Sequence, residues 1–123
     1  MSDPHFVGVL VLEPDPTDTT NERLVVASDS FAFYDNHGVK WVADKGEVTD
    51  GASIPGLIKL FLGRSFREPY LPAATLHDIY CRSKTRSCAA TADMFCQALI
   101  TNGVDYVRAG AMWSAVRAFG PHW

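Results

Sequence analysis

The chain has 123 residues, of which 47% are hydrophobic, and this matches the length and composition of one ordinary globular domain. Eleven Lys and Arg residues against fourteen Asp and Glu leave a net charge of −3, so no basic surplus exists to bind a nucleic-acid backbone. The apolar runs are far shorter than the roughly 18 residues that a membrane span requires, and the N-terminus has no signal-peptide pattern. We therefore expect a single soluble domain over residues 1–123, made in a cytoplasm, with no nucleic-acid partner and no transmembrane segment.

The first part of the chain, about residues 5–49, is typical of β-strands because β-branched and aromatic residues alternate with turn residues. Candidate strands cover residues 5–12, 23–27, 30–34 and 39–43. The turn chemistry of Asp35, Asn36, His37 and Gly38 predicts a hairpin between the last two strands.

From about residue 54 to residue 120 the apolar residues recur at helical spacing. Candidate helices run over residues 55–62, from 71 to 82, from 87 or 88 to a stop at Asn102-Gly103, and from an Asp105 cap to Gly120. Strands followed by a run of helices predict an α+β fold, with a small N-terminal antiparallel sheet and three to four helices after it.

The junction between the predicted strands and helices carries the string VTDGASIP over residues 48–55. Gly51 lets the backbone turn, and Ser53 is placed to cap the helix that Pro55 opens. A second interpretation has Asp50 and the loop facing a ligand, because binding residues are common on such loops.

His77 and Asp78 are adjacent within a predicted helix, so their side chains diverge by about 100° and serve different neighbours. A short connection to the next helix would place Asp93 opposite His77, which is the His–Asp arrangement of a general base that activates water. Asp78 would then be available to bind a hard cation through oxygen. The alternative is a half-buried helix histidine beside a solvated or ion-paired acid.

The three cysteines form an odd and clustered set, which predicts reduced thiols rather than a disulfide framework. A zinc site built from His77, Cys81, Cys88 and Cys96 is a weaker alternative. The cysteine spacings match no usual zinc knuckle, and Cys96 fits the apolar stripe of its helix.

Together, TDGAS-I-P and the following A-A-x-x-H-D over residues 73–78 resemble an uncharacterised family of small proteins from tailed phages and prophages. The resemblance covers the chain from about residue 6 to residue 120. It implies a phage origin and a domain of unknown function, and it implies no activity.

Residues 73–78 and the A-D-M-F string at residues 92–95 are also similar to the helix pair of phospholipase A-two enzymes, particularly the parvovirus capsid type. That resemblance implies that His77 is the general base, Asp78 a calcium ligand and Asp93 the acid that orients the histidine. The glycine-rich calcium loop of these enzymes is missing, and Asp50 would have to take its place as a further ligand. Tyr80 stands one residue earlier than the tyrosine of these enzymes.

The leading hypothesis is a phage-encoded hydrolase in which His77 and Asp93 are catalytic and Asp78 and Asp50 hold a cation, with calcium as the implied cofactor. The other candidates, for substrate binding or loop structure, are Asp50, Gly51, Ser53 and Tyr80. A lipid or ester substrate follows only from the phospholipase resemblance. The rival hypotheses are a noncatalytic virion or accessory protein that binds a phage or host protein, and an inhibitor of a host defence enzyme. Each predicts location in the host cytoplasm or the virion.

Overall fold

A computed structural model of the chain describes residues 3–19, 23–49 and 70–123. The predicted helix over residues 55–62 and most of the VTDGASIP string lie outside these described residues. The chain divides into two compact units, Met1–Asp50 and Gly51–Trp123, and each is taken in turn below.

The described residues of the N-terminal unit form two antiparallel sheets of three strands each. Its strands are β1 His5–Val7, β2 Leu12–Pro14, β3 Leu24–Val26, β4 Ser30–Tyr34, β5 Lys40–Asp44 and β6 Val48–Thr49. The strand order is β1-β4-β5 in the first sheet and β2-β3-β6 in the second.

Alternation along β4 and β5 builds the core of this unit. Phe31, Phe33, Trp41 and Ala43 lie on one face of the strand pair, because every second side chain points to the same face, and all four are buried. Ala32, on the opposite face of β4, is buried as well. Phe33 pairs with Trp41 in register, and the ring of Phe6 lies 4.9 Å from that of Phe33. The predicted hairpin is confirmed, with the Gly38 amide donating to the Asp35 carbonyl across the turn.

The predicted strand over residues 5–12 is wrong in one respect, because the structure divides it at Gly8. Gly8 has φ +83°, and a Cβ at this position would lie 2.3 Å from the carbonyl oxygen of Ser30. Only glycine accepts this backbone without strain, and the chain leaves the first sheet here to enter the second. The short strand β6, which pairs with β3, was not predicted, because two residues are too few to show a period.

The described part of the second unit contains three helices, α1 Leu71–Ser83, α2 Cys88–Thr101 and α3 Tyr106–Phe119. Helix α1 packs on α2, and α2 packs on α3. Ser87 caps α2 by accepting a bond from the Ala90 amide, and Asp105 caps α3 by accepting one from the Arg108 amide. Within the described ranges, no helix reaches the length and hydropathy needed to cross a membrane. The expected α+β fold class is confirmed.

Candidate functional site

Helix α1 carries the His-Asp pair, and it is buried along most of its length. Every residue from 72 to 81 is buried, which is unusual for a helix of a small protein and requires its polar side chains to find partners. His77 is 1% exposed and Asp78 is 0% exposed. Both side chains are therefore part of the protein interior.

Among the described residues, His77 contacts an aromatic ring and a thiol. Its ring centroid is 4.9 Å from that of Phe95 on α2, and the Sγ of Cys81 lies 3.6 Å from Nε2 and 3.7 Å from Nδ1. Burial lowers the pKa of His77 from 6.5 to about 4, although the charge of Asp78 acts in the opposite direction. The imidazole is therefore uncharged at pH 7.

Asp78 is turned toward a cation of its own helix. Its Oδ2 lies 3.5 Å from Nη2 of Arg82, one turn further along α1. The carboxylate is almost fully buried and the guanidinium is partly exposed, so the Arg82 side chain reaches from the buried acid to the solvent. This ion pair agrees with the alternative interpretation of the sequence, in which Asp78 is an ion-paired acid.

The sequence predicted that Asp93 lies opposite His77, but the structure gives Asp93 a different partner. Asp93 is exposed on α2, where its Oδ1 accepts a 2.8 Å hydrogen bond from Nε1 of Trp113 on α3. Phe95, two positions later, contacts His77 on α1. Helix positions that are two residues apart differ by about 200° around the axis, so Asp93 and Phe95 point to opposite sides of α2. The structure brings His77 to Phe95 and Cys81, and brings Asp93 to Trp113.

The remaining predicted site residues are placed as follows. Tyr80 is buried on α1, and the guanidinium carbon of Arg86 lies 5.3 Å from the centre of its ring. Asp50, Gly51 and Ser53 lie outside the described residues, so their predicted roles stay predictions.

Calcium is the cofactor that the phospholipase resemblance implies. Calcium takes six to eight oxygen ligands, and the described residues contain no group of three or more His, Cys, Asp or Glu side chains suited to a metal. Among the predicted ligands they supply Asp78 alone, and this carboxylate is paired with Arg82. The described part of the site does not fit calcium.

The alternative zinc set is also not brought together. Cys81 contacts His77, but the Sγ of Cys88 donates to the carbonyl of Pro121 at 3.3 Å. Cys96 makes a long contact with the carbonyl of Ala109. None of the three cysteines, all of which are described, forms a disulfide.

Sequence reasoning missed a cavity of about 310 Å³ between the start of α2 and the residues that follow α3. It is lined by Ser87, Cys88, Ala89, Arg117, His122 and Trp123. At this cavity, Nε1 of Trp123 donates to the Arg86 carbonyl, and Nε2 of His122 contacts the Arg117 carbonyl. Local sequence pattern could not reveal this cavity, because Trp123 and its partner Arg86 are 37 residues apart.

Two curated relatives are uncharacterised proteins of Sinorhizobium fredii (strain NBRC 101917 / NGR234). The protein y4iH is 35% identical over 118 residues, which are 96% of this chain and 48% of that protein. The protein y4jT is 37% identical over 106 residues, 86% of this chain and 32% of that protein. The chain therefore spans about half the length of y4iH and about a third of the length of y4jT. No solved structure matches the chain significantly.

Residues 25–116, from the third strand to near the end of α3, match a family described as a protein of unknown function, DUF1353. The expectation of a family without assigned activity is confirmed. The chain belongs to the DUF1353 family.

Proposed function

We propose that this chain is a noncatalytic accessory or virion protein of phage type, which acts by binding a phage or host protein. In this proposal His77 and Asp78 are interior residues that stabilise the helices. The phage assignment is supported by the resemblance of the TDGAS-I-P and A-A-x-x-H-D strings to small tailed-phage proteins.

The observation that carries the noncatalytic assignment is the environment of His77. A general base must reach both a water and its substrate, but this imidazole is 1% exposed and packs on Phe95 and Cys81. The acid expected to orient it is hydrogen-bonded to Trp113 on the other side of α2. A histidine with a pKa of about 4 is also a weak base at neutral pH.

The second candidate is the hydrolase, in which His77 takes a proton from water. It is favoured by one observation, the uncharged state of a buried imidazole that is adjacent to a buried carboxylate. An uncharged imidazole is the form that accepts a proton. The lipid or ester substrate and calcium belong to this candidate alone.

A hydrolysis assay separates the two candidates. The wild-type chain, His77→Gln and Asp93→Asn would be incubated with phosphatidylcholine vesicles and with a nitrophenyl ester, each with and without calcium. The noncatalytic proposal predicts equal product release by all three proteins. Because Asp93 is exposed, Asp93→Asn is expected to fold normally, as circular dichroism would verify. The hydrolase would be established instead if the wild type turned over a substrate and both His77→Gln and folded Asp93→Asn did so more slowly.

The phage component has its own test. We expect the gene to lie among phage morphogenesis genes and the chain to appear in gradient-purified particles by mass spectrometry. A gene outside any phage or prophage region would overturn the phage assignment without affecting the noncatalytic one.

A further inference from the structure

The cavity of about 310 Å³ at the start of α2 brings a nucleophile and a cation together. The thiol of Cys88 and the guanidinium of Arg117 both line it, and none of the described residues that line it is acidic. Cys88 is the first residue of α2, and Arg117 belongs to the last turn of α3. The imidazole of His122, which follows α3, lines the same cavity.

The three cysteines lie in different environments, and that of Cys88 is the one suited to reaction. Cys81 is 5% exposed, so a reagent in solution has little access to it. Cys96 is half-buried, and burial raises the pKa of its thiol, with the charge of Asp93 acting in the same direction. Cys88 is also half-buried, but it opens to a cavity that it shares with a cation. Reactive thiols are typically partly exposed and close to positive charge.

The charge of Arg117 is available to a ligand. Its guanidinium carbon lies 5.8 Å from the centre of the Trp113 ring, and it forms no ion pair with the residues that the structure describes. Contact with the face of a ring does not use the N–H groups of a guanidinium, and these groups bind carboxylates through paired hydrogen bonds. Arg117 is therefore suited to a ligand that carries a carboxylate.

The ring of His122 supplies an acceptor. Its Nε2 lies 2.7 Å from the Arg117 carbonyl, and because a carbonyl oxygen only accepts, Nε2 carries the hydrogen. In the uncharged ring, Nδ1 then has no hydrogen and accepts a bond from an N–H group. The residues that line the cavity thus offer a donor for a carboxylate, an acceptor for an N–H group and a thiol.

We propose that Cys88 is a modification site, at which the chain forms a mixed disulfide with the disulfide of a small amino-acid or peptide thiol. Such a molecule carries a carboxylate for Arg117 and an amide or ammonium N–H group for His122. The inference stands independently of the proposed function.

The reaction is a thiol–disulfide exchange. The thiolate sulfur of Cys88 attacks one sulfur of the disulfide, and a new S–S bond forms as the original one breaks. The Cys88 sulfur is oxidised, and the second sulfur of the reagent is reduced and leaves as a thiolate. The proton from the Cys88 thiol passes to solvent, and the departing thiolate takes up a proton there.

The modification removes a contact of the residues that follow α3. The Cys88 thiol now donates to the Pro121 carbonyl at 3.3 Å, and a mixed disulfide has no hydrogen to donate. The bonds of His122 and Trp123 to the carbonyls of Arg117 and Arg86 do not involve the thiol. The modification therefore loosens the contact of Pro121 with the start of α2 and leaves the helix interior unchanged.

The site is tested by incubating the full chain with oxidised glutathione at neutral pH and following each cysteine by peptide mass spectrometry. Cys88 is expected to take up glutathione at least about tenfold faster than Cys96 or Cys81. Cys88→Ser should remove the fast adduct, and Cys96→Ser, the matched control, should retain it. Circular dichroism verifies that both variants fold. Modification of Cys96 or Cys81 as fast as that of Cys88 would overturn the proposal.

The role of Arg117 is tested with a second disulfide, cystamine, which carries ammonium groups and no carboxylate. The ratio of the two rates at Cys88 is insensitive to a general change in the access to the thiol. Arg117→Gln should lower the preference for oxidised glutathione about fivefold, because opposite charges in contact attract by about that factor even in water. Arg108→Gln removes an arginine of the same helix that does not line the cavity, and it should keep the ratio. An unchanged ratio in Arg117→Gln, or an equal change in both variants, would contradict the proposal.

Discussion

Asp35 is a buried acid whose charge is used to close a turn. It is 6% exposed, and its Oδ1 accepts bonds from the amides of His37 and Val39, while Oδ2 accepts a 3.0 Å bond from Nε1 of Trp41. Burial by itself raises the pKa of this carboxyl, but the three hydrogen bonds outweigh burial and hold the pKa below 3.8. The ionised form of Asp35 therefore stabilises the folded state.

Asp35→Asn should lower the free energy of unfolding by ~1–3 kcal/mol at pH 7, because an amide nitrogen replaces one accepting oxygen. The contribution of the wild-type acid is fully present above its unfolded pKa of 3.8 and is lost as the pH falls through the lower folded value. Urea unfolding at pH 7 and pH 3 measures both effects.

Asp29→Asn is the control for this measurement. The Asp29 carboxylate is 91% exposed beside Lys45, and such surface pairs contribute little. A loss in Asp35→Asn no greater than that in Asp29→Asn would contradict the role of Asp35.

At the scale of single residues, the candidate site was only partly predictable from the sequence. The sequence singled out His77 and Asp78, and both are placed on α1 as expected. The partner of Asp93 was not predictable from spacing, because which helix faces which is a tertiary property. The sequence does contain a signal against this pairing, because Ala92, Phe95 and Leu99 recur at helical spacing and Asp93 lies off the side that they form.

Each capped helix begins where its sequence predicts. Ser87→Ala should destabilise the protein by ~1 kcal/mol, because the Ala90 amide loses the side-chain oxygen that it now binds at 3.0 Å. Thermal unfolding followed by circular dichroism measures this loss. Ser114→Ala, in the middle of α3, is the control and should be neutral or slightly stabilising. Equal effects of the two substitutions would show that the cap contributes nothing.

The three helices that the structure describes were predicted to within one or two residues, because caps and stops are local. The Asp105 cap and the break at Gly103, which has φ +99°, each act through the residues beside them. The strands were harder, since the change of sheet at Gly8 depends on the carbonyl of Ser30, 22 residues later in the sequence. Local sequence pattern thus predicts where helices and strands lie in the sequence better than it predicts which strands pair.

For the whole molecule, burial of His77 predicts a loss of stability in mild acid. The folded pKa of about 4 lies below the usual 6.5, so between these values the unfolded chain binds more protons than the folded one. Stability should therefore fall as the pH drops from about 6.5 to about 4, by about 3 kcal/mol for the full interval. Asp35 acts in a separate window, below pH 3.8.

His77→Gln should remove most of this pH dependence, although the loss of packing on Phe95 lowers stability at pH 7. Urea unfolding across pH 4.5 to 7.5 measures the slope. His5→Gln, which replaces an exposed histidine of β1, is expected to keep the wild-type slope. An unchanged slope in His77→Gln would contradict burial of an uncharged imidazole.

The chain corresponds to part of longer relatives, about half of y4iH and about a third of y4jT. The functions of those longer proteins are therefore not assigned to this chain. Helices α1 and α2 pack on each other, and the polar side chains of His77 and Asp78 are buried on α1.

The most direct test of the account is an NMR titration of the histidine rings in the wild-type chain, with His77 assigned through His77→Gln. The account predicts that the His77 ring is uncharged at pH 7 and that its signals do not move until the pH approaches 4. A His77 ring that titrates above pH 6 would place the imidazole in contact with solvent. That result would contradict the interior role of His77 and restore the hydrolase as the leading hypothesis.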